Sequence, residues 1–425
     1  VMVRTQEYED RLANGEIVPS DILLLMPYMR IILALTEKYA ALVMNPPYMG
    51  SGHFDEVLGK YVKDNYAEGK ADLFSVFMQM GMERLAPNGK MAQINMQSWM
   101  FLSSFEKLRK QFLTHYNIDN MLHLGPRTFD ELSGEIVQNT AFVLSKHEPV
   151  EQGGVYYRLV DGKNCADKEQ LFLSHINGNV DGNRIYYPNV EQKNFEKIPG
   201  CPIGYWVSEK EQKQFIQGLL NKYAKPCKGI DTGENAYFLK LWFEVSSNEI
   251  DDSLGQGKWV PYNKGGGFRR WYGFREYVLK WNGSEEELAS RLSWITKKPT
   301  LRNKNYWFKE SFTWSSISSD GFSARFSPKG ALFDNGGSSV FSENNLYLIG
   351  GLINSKVANR YFEFLAPTLN FQPGDVGHIA YSEKLKDVVV QDRISAIVSE
   401  NISISKSDWD AHETSWDFQR NELLS

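Results

Sequence analysis

At 425 residues, 42% hydrophobic and 23% charged, the chain is long enough for two or three domains with sizeable cores and has the composition of an ordinary soluble protein. Its net charge of −5 counts against a uniformly basic nucleic-acid binder, and three scattered cysteines, Cys165, Cys201 and Cys227, exclude a disulfide framework or a CxxC zinc site and fit a reducing cytoplasm. The first residues do not read as a signal peptide, and the most apolar stretch, Ile22–Leu35, is broken by Pro27 and Arg30 and too short to span a bilayer, so it reads as a buried or amphipathic helix kinked at the proline.

Residues 1–40 read as helical, and Ala41–Met44 as a short strand that opens into Asn45-Pro46-Pro47-Tyr48. Gly50-Ser51-Gly52-His53 follows a proline loop and lacks a GKS/T ending, so it is not a phosphate loop. Helical patterns cover 55–66 and 70–85, the second with an apolar face of Leu73, Phe74, Phe77, Met80, Met82 and Leu85. Pro87-Asn88-Gly89 predicts a tight turn into a strand over Lys90–Met96. A helix is expected over Phe101–His115, burying Phe105, Leu108 and Phe112 with Lys107, Arg109 and Lys110 outward. Strands follow at Ile118–Leu124 and Val137–Leu144, and the alternation with helices predicts an α/β fold with a largely parallel sheet. Pro149–Tyr187 is polar and glycine-dotted, and a helix is expected over Glu209–Tyr223. From Lys228 short aromatic strands alternate with turn residues, as in Gly257–Tyr262, Arg269–Tyr272 and Ala324–Ala331, with helices at Glu285–Ile295, Leu346–Leu365 and from Lys384 onward.

The chemistry is concentrated at Asn45-Pro46-Pro47-Tyr48. Such a run arises by accident roughly once in a thousand chains of this length, which favours a functional loop over a plain polyproline turn. The exocyclic amine of adenine is a weak nucleophile because its lone pair is delocalised into the ring. Two acceptors aimed at its N–H bonds, the Asn45 side-chain oxygen and the Pro46 carbonyl, draw the nitrogen toward tetrahedral geometry. Neither Pro46 nor Pro47 has an N–H to donate, and Tyr48 offers a face for the base, worth about 1–3 kcal/mol. An adenine inside a duplex reaches such a corner only by flipping out of the stack.

Further segments carry a family resemblance: Ala71-Asp72-Leu73-Phe74, Leu85-Ala86-Pro87-Asn88-Gly89-Lys90, Met96–Arg109, Met121–Arg127, Pro299–Lys304 and Pro367–Gln372. With Asn45–Ser51 they resemble adenine-specific DNA methyltransferases of the phage-exclusion (BREX, PglX) type, related to fused type II restriction-modification enzymes. The resemblance covers about residues 35–385 and implies a partial class I (Rossmann-like) methyltransferase sheet followed by a mixed α+β target-recognition domain. It implies the catalytic residues Asn45, Pro46, Pro47 and Tyr48, with Tyr48 and Phe129 stacking on the flipped base. It also implies S-adenosyl-L-methionine as cofactor, double-stranded DNA as partner, other phage-defence proteins as further partners, and no membrane. The glycine-rich cofactor loop is not found in residues 1–40, and the chain begins with Val1 close to the motif, so a C-terminal fragment of a longer enzyme is expected.

The expected organisation is 1–148 for the methyltransferase part, 149–227 for a connector, 228–392 for DNA recognition and 393–425 for a helical tail. Lys258–Lys329 holds 14 Lys/Arg against 6 Asp/Glu, a surplus of +8 that leaves −13 for the remainder. That is the footprint of a nucleic-acid module, or else a solvated surface of ion pairs. Within it Lys264, Arg269, Arg270 and Trp271 flank a glycine run, and Arg302, Asn303 and Lys304 form a second cluster suited to guanine, adenine and phosphate contacts. Asn370 and Gln372 sit in a turn that is either structural or DNA-facing, and Trp99 reads as core or pocket wall. The seven histidines show no metal-ligand spacing. Two alternatives stay open: a non-catalytic DNA-binding module, and a methyltransferase for RNA or for a protein glutamine amide.

Overall fold

The structure, a computed structural model, describes residues 2–129, 137–178, 185–251, 256–290 and 299–420. It divides into two units, residues 1–196 with 200–206, and residues 197–199 with 207–425. The 149–227 segment is thus shared between them, and the expected helix over Glu285–Ile295 and tail over 393–425 extend partly outside the described residues. No described helix is long and apolar enough to cross a membrane.

The first unit runs α1 (Met2–Ala13), α2 (Ser20–Thr36), β1 (Tyr39–Met44), α3 (Glu56–Asn65), α4 (Leu73–Arg84), β2 (Leu85–Met96), α5 (Glu106–His115), β3 (Asn117–Gly125), β4 (Asn139–Ser145), β5 (Gly154–Arg158), α6 (Cys165–Ile176) and β6 (Tyr186–Val190). Its six-stranded sheet has the order β1-β2-β4-β3-β5-β6. The largely parallel sheet expected from the sequence is corrected to a mixed one. Only β1/β2 and β3/β5 are parallel, while β4 runs antiparallel to both neighbours and β6 to β5. A period of two reports which face a side chain takes, not which way the strand runs. Pro87-Asn88-Gly89 does not precede β2 but lies within it, as a register shift against β1, with Asn88 at φ 60°. A Cβ on Gly89 would meet the Tyr39 carbonyl oxygen at 2.9 Å, so glycine lets the two strands close.

Helix α4 is buried on more than one face. Phe74, Met78 and Met82 join the main core with Met91, Trp99, Phe112 and Phe142, while Val76 packs with Val62 and Tyr66. Met78, outside the predicted face, is fully buried for that reason. Two further expectations are corrected. Arg109 does not point outward: it is 0% exposed and donates to the carbonyls of Trp99, Leu102 and Gly200, because α5 begins only at Glu106, after short 3-10 turns over Gln97–Met100 and Ser103–Phe105 that leave carbonyls to satisfy. Burial lowers its pKa to about 10. Helix α2 is neither buried nor one-sided. Only Met26 is buried, and Leu24, Tyr28, Ile31 and Leu35 are exposed, because its apolar residues run round the helix instead of along one stripe.

The second unit contains α7 (Glu209–Gln217), β7 (Lys225–Cys227), α8 (Asn235–Phe238), β8 (Leu239–Leu241), β9 (Trp259–Asn263), β10 (Tyr277–Lys280), α9 (Glu286–Ser290), β11 (Ser311–Trp314), β12 (Ala324–Ser327), β13 (Leu332–Phe333), β14 (Ser339–Phe341), α10 (Leu346–Ile353), α11 (Lys356–Leu365), α12 (Pro373–Gly377) and α13 (Val388–Asp410). Two four-stranded sheets, β13-β9-β10-β8 and β12-β11-β14-β7, are built from these short strands. The first packs an aromatic core of Tyr262, Trp281, Trp307 and Phe333. The Arg269–Tyr272 segment expected as a strand forms only an isolated bridge between Trp271 and Arg325, with Trp271 left-handed at φ 76°.

Candidate active site and nucleic-acid interface

Strand β1 ends at Met44, and Asn45 stands exposed at its carboxyl end with no side-chain hydrogen bond among the described residues. Pro46 is buried, Pro47 is exposed and Tyr48 is half-buried, so the corner is anchored by one proline and one ring while the amide faces outward. The anchoring comes from the start of α4. Asp72 caps that helix by accepting from the Phe74 N–H at 3.2 Å, and the same carboxylate oxygen accepts from the Met49 N–H at 3.0 Å. The Leu73 N–H donates to the Met49 carbonyl at 2.9 Å and the Ser51 N–H to the Ala71 carbonyl at 3.0 Å. Three of these bonds therefore strap the loop to the helix terminus, and the fourth is the cap itself. Burial raises the Asp72 pKa, opposed by its backbone donors.

Tyr48 is held at its other end. Its hydroxyl accepts from Asn139 Nδ2 at 3.1 Å, and its ring meets Phe74 edge-on with centroids 6.3 Å apart. Burial pushes the phenol pKa up, with the Asn139 bond opposing. Asn139 is fully buried and also donates to the Asn95 carbonyl at 3.3 Å. Three amide oxygens of β2 and β4, Gln93 Oε1, Asn95 Oδ1 and Asn139 Oδ1, are buried without a partner among the described residues. Trp99 is core: it is 0% exposed and packs on Phe112 and Phe142. Phe129 is half-buried in the turn after β3, where Thr128 Oγ1 donates to the Gly125 carbonyl at 2.9 Å and buried Lys168 donates to that of Leu124 at 2.8 Å. The described residues show no ring contact between Phe129 and Tyr48.

His123 lies in β3, fully enclosed. Nε2 contacts the Gln97 Oε1 acceptor at 2.6 Å, which assigns the proton to Nε2, and Nδ1 accepts from the Tyr205 hydroxyl at 3.0 Å. Burial, with Arg158 and Lys168 nearby, drives its pKa down to about 3. It is a neutral structural imidazole. Among the described residues no group of three His, Cys, Asp or Glu is placed to hold a metal.

In the second unit much of the basic surplus is neutralised internally. Lys258 pairs with Glu249, Lys264 with Asp334 at 3.5 Å, Arg269 with Asp408 at 2.6 Å, Lys280 with Glu287 and Lys304 with Glu285. Arg269 also donates to the carbonyls of Tyr272 and Ser405 and lies over Trp409, which ties the glycine loop to α13. Arg270 lies over Phe268. Trp271 bonds through its backbone to Ala324 and Phe326. Arg302 and Asn303 are exposed, contacting Asn335 and the Lys228 carbonyl, and Asn303 is left-handed at φ 52°. Asn370 and Gln372 bond to each other at the start of α12, where Gln372 is the N-cap and Asp375, which accepts from the Gln372 N–H, is pushed up to about 6 by burial.

Sequence reasoning noted Asp72 only as part of a motif, although Asp before an apolar helix is a legible cap signal. It missed Asn139, which lies 91 positions from Tyr48 and shows no local pattern. It also missed Arg325, 1% exposed, whose guanidinium donates to the Gly267 carbonyl and Ser315 Oγ and so fixes the glycine loop from below.

Residues 10–129 match the Eco57I restriction-modification methylase family. The chain is 40% identical over 410 residues to the adenine-specific methyltransferase BrxX of Escherichia coli O9:H4 (strain HS), covering 94% of this chain and 32% of that protein. It is 40% identical over 408 residues to the adenine-specific methyltransferase PglX of Lacticaseibacillus casei (strain Zhang), covering 93% and 33%. Among solved structures, the type IIL restriction-modification enzyme MmeI in complex with DNA shares the fold over 89% of this chain and 50% of its own, with a TM-score of 0.52 at 13% identity. Across nearly all of its own length, and about a third of theirs, this chain is a homologue of the BrxX and PglX adenine-specific methyltransferases.

Proposed function

We propose that this chain carries the amine-binding corner and the DNA-reading part of a site-specific DNA adenine-N6 methyltransferase acting in phage defence. The observation that carries this is Asn45: its amide is exposed and unengaged at the end of β1, while the loop after it is strapped to α4 through Asp72. Asn45 Oδ1 and the Pro46 carbonyl accept the two N–H bonds of a flipped adenine. Tyr48, held by Asn139, stacks on the base, and Phe129 offers an opposing face. The names of the two relatives support adenine as the substrate, and the fold shared with MmeI supports reading residues 1–148 as the later half of a class I methyltransferase sheet and 228–392 as target recognition. Arg270, Trp271, Arg302 and Asn303 are the recognition candidates least committed to ion pairs. Lys264, Arg269 and Lys304 contact DNA by exchanging a carboxylate for a phosphate.

The methyl donor this reading implies is S-adenosyl-L-methionine, and a cytoplasmic site of action follows from the substrate. Among the described residues no strand precedes β1 and no glycine-rich loop opens from one, so these residues do not by themselves fit the donor's methionine end. We infer that the donor site is completed by further sequence of the kind the longer relatives carry. That observation favours one second reading, in which this chain alone is a DNA-binding module. Calorimetric titration of S-adenosyl-L-methionine into the chain separates the two, since saturable heat overturns the module reading. The test of the main reading is Asn45→Ala in the whole protein. Transfer of labelled methyl to adenine N6 should fall at least 100-fold while DNA binding stays within about twofold. Near-normal transfer, or label in RNA or a glutamine amide instead, overturns it.

A further inference from the structure

One groove of the second unit, about 810 Å³, is lined by Lys222, Lys225, Lys309 and Lys329 together with Tyr306 and two carboxylates, Glu310 and Glu343. The four lysines are exposed and come from four separate places: the turn before β7, β7 itself, the segment before β11 and the turn after β12. None takes part in an ion pair among the described residues, in contrast to Lys258, Lys264, Arg269, Lys280 and Lys304. Lys309 Nζ is poised 5.5 Å from the Tyr306 ring centroid, and Tyr306 packs on Phe341 with centroids 4.8 Å apart, so the wall is firm. The amino end of α10 opens on the same groove at Asn345 and Leu346 and has no side-chain cap, adding its positive dipole end. The four ammonium groups outnumber the groove's two carboxylates, a local surplus of positive charge that a polyanion complements.

We propose that this groove tracks the phosphodiester backbone of duplex DNA and contributes affinity without reading sequence. The inference rests on the DNA reading above. The volume is too large for a single phosphate, and the charges are spread over elements as successive phosphates require. Lysine is a point charge suited to phosphate, whereas bidentate base reading belongs to Arg, Asn and Gln. No arginine lines the groove. The basic island predicted over Lys258–Lys329 therefore includes only half of this surface. Lys222 and Lys225 lie upstream of it and are brought to Lys309 and Lys329 by the fold.

The test uses the full chain and two 20-base-pair duplexes, one carrying the recognition site of the whole protein and one scrambled, by fluorescence anisotropy between 50 and 200 mM salt. The triple variant Lys225→Ala/Lys309→Ala/Lys329→Ala should lower the slope of log affinity against log salt by about 3, near one unit per lost phosphate contact, and equally on both duplexes. The matched variant Lys210→Ala/Lys213→Ala/Lys356→Ala, exposed lysines of the same unit outside the groove, should leave the slope unchanged. An unchanged slope in the groove variant, an equal drop in the control, or a loss confined to the cognate duplex overturns the groove while leaving the DNA reading intact. Failure of the unaltered chain to bind either duplex overturns both.

Discussion

At the residue scale, the corner at Asn45 works by a division of labour: one side chain is left unengaged and its neighbours are tied down. Asn139 is the buried half of that arrangement, donating to both the Tyr48 hydroxyl and the Asn95 carbonyl. Asn139→Ala should cost about 1–3 kcal/mol of stability, since it strips donors from two enclosed acceptors, and Tyr48→Phe should cost less in the Asn139→Ala background than alone. A urea double-mutant cycle checks this, and additive costs would count against the bond. Asn45→Ala, exposed and unbonded, should change stability by no more than about 0.5 kcal/mol. His123 gives a pH prediction. Its folded pKa of about 3 lies below the unfolded value near 6.5, so the unfolded state takes up the proton first. The stability of the neutral imidazole is fully present above pH 6.5 and is lost as pH falls from there toward 3, at about 1.4 kcal/mol per unit. Asp375, with its pKa raised to about 6, acts oppositely in the other unit, losing stability as pH rises from 3.8 through 6. The measurement is therefore the difference between the chain and its His123→Gln variant from pH 7.5 to 4.5, where the variant should show the shallower acid loss.

At the element scale, the same carboxylate that starts α4 also fixes the loop after Asn45, so helix and loop are one mechanical part. Asp72→Ala should cost about 1–2 kcal/mol through the lost cap and should speed hydrogen exchange at the Met49 amide. Asp72→Asn, which keeps an acceptor, should fall between. Unaltered exchange at Met49 in Asp72→Ala would detach the loop from the helix. Element order in the first unit was legible because its strands and helices have strong periods: the Ala41–Met44, Lys90–Met96, Ile118–Leu124 and Val137–Leu144 expectations all fall on strands. Strand direction was not, since β4 slots antiparallel between β2 and β3 through pairings that no local pattern encodes. The inward turn of Arg109 escaped for a similar reason, as its partner Gly200 lies 91 positions away. Asn45–Tyr48 stands out in the sequence because the proposed amine-binding chemistry needs only four consecutive residues. The lysine groove does not, because its parts are contiguous only in space.

At the scale of the whole molecule, the first unit ends its sheet at an unpaired edge and covers it poorly. Strand β1 pairs only with β2 among the described strands, and Val43 on it is 83% exposed. Beside it in sequence, α2 exposes Leu24 at 73%, Tyr28 at 66% and Ile31 at 55%. An open edge and a run of bare apolar residues of this kind are surfaces that a soluble protein ordinarily covers. The relatives are about three times as long as the matched segment, and a further strand and layer of the same polypeptide would cover them. Self-pairing of the edge is the competing way to bury the same surface. The chain by itself should therefore associate with rising concentration, and Leu24→Glu/Ile31→Glu should return it toward monomer in light scattering. In a whole protein of the relatives' kind the same pair of substitutions should lower the melting temperature by several degrees, because the charges then fall inside an interface. Monomeric behaviour of the unaltered chain at high concentration, together with an unchanged melting temperature of the substituted whole protein, would show that this face meets solvent in both.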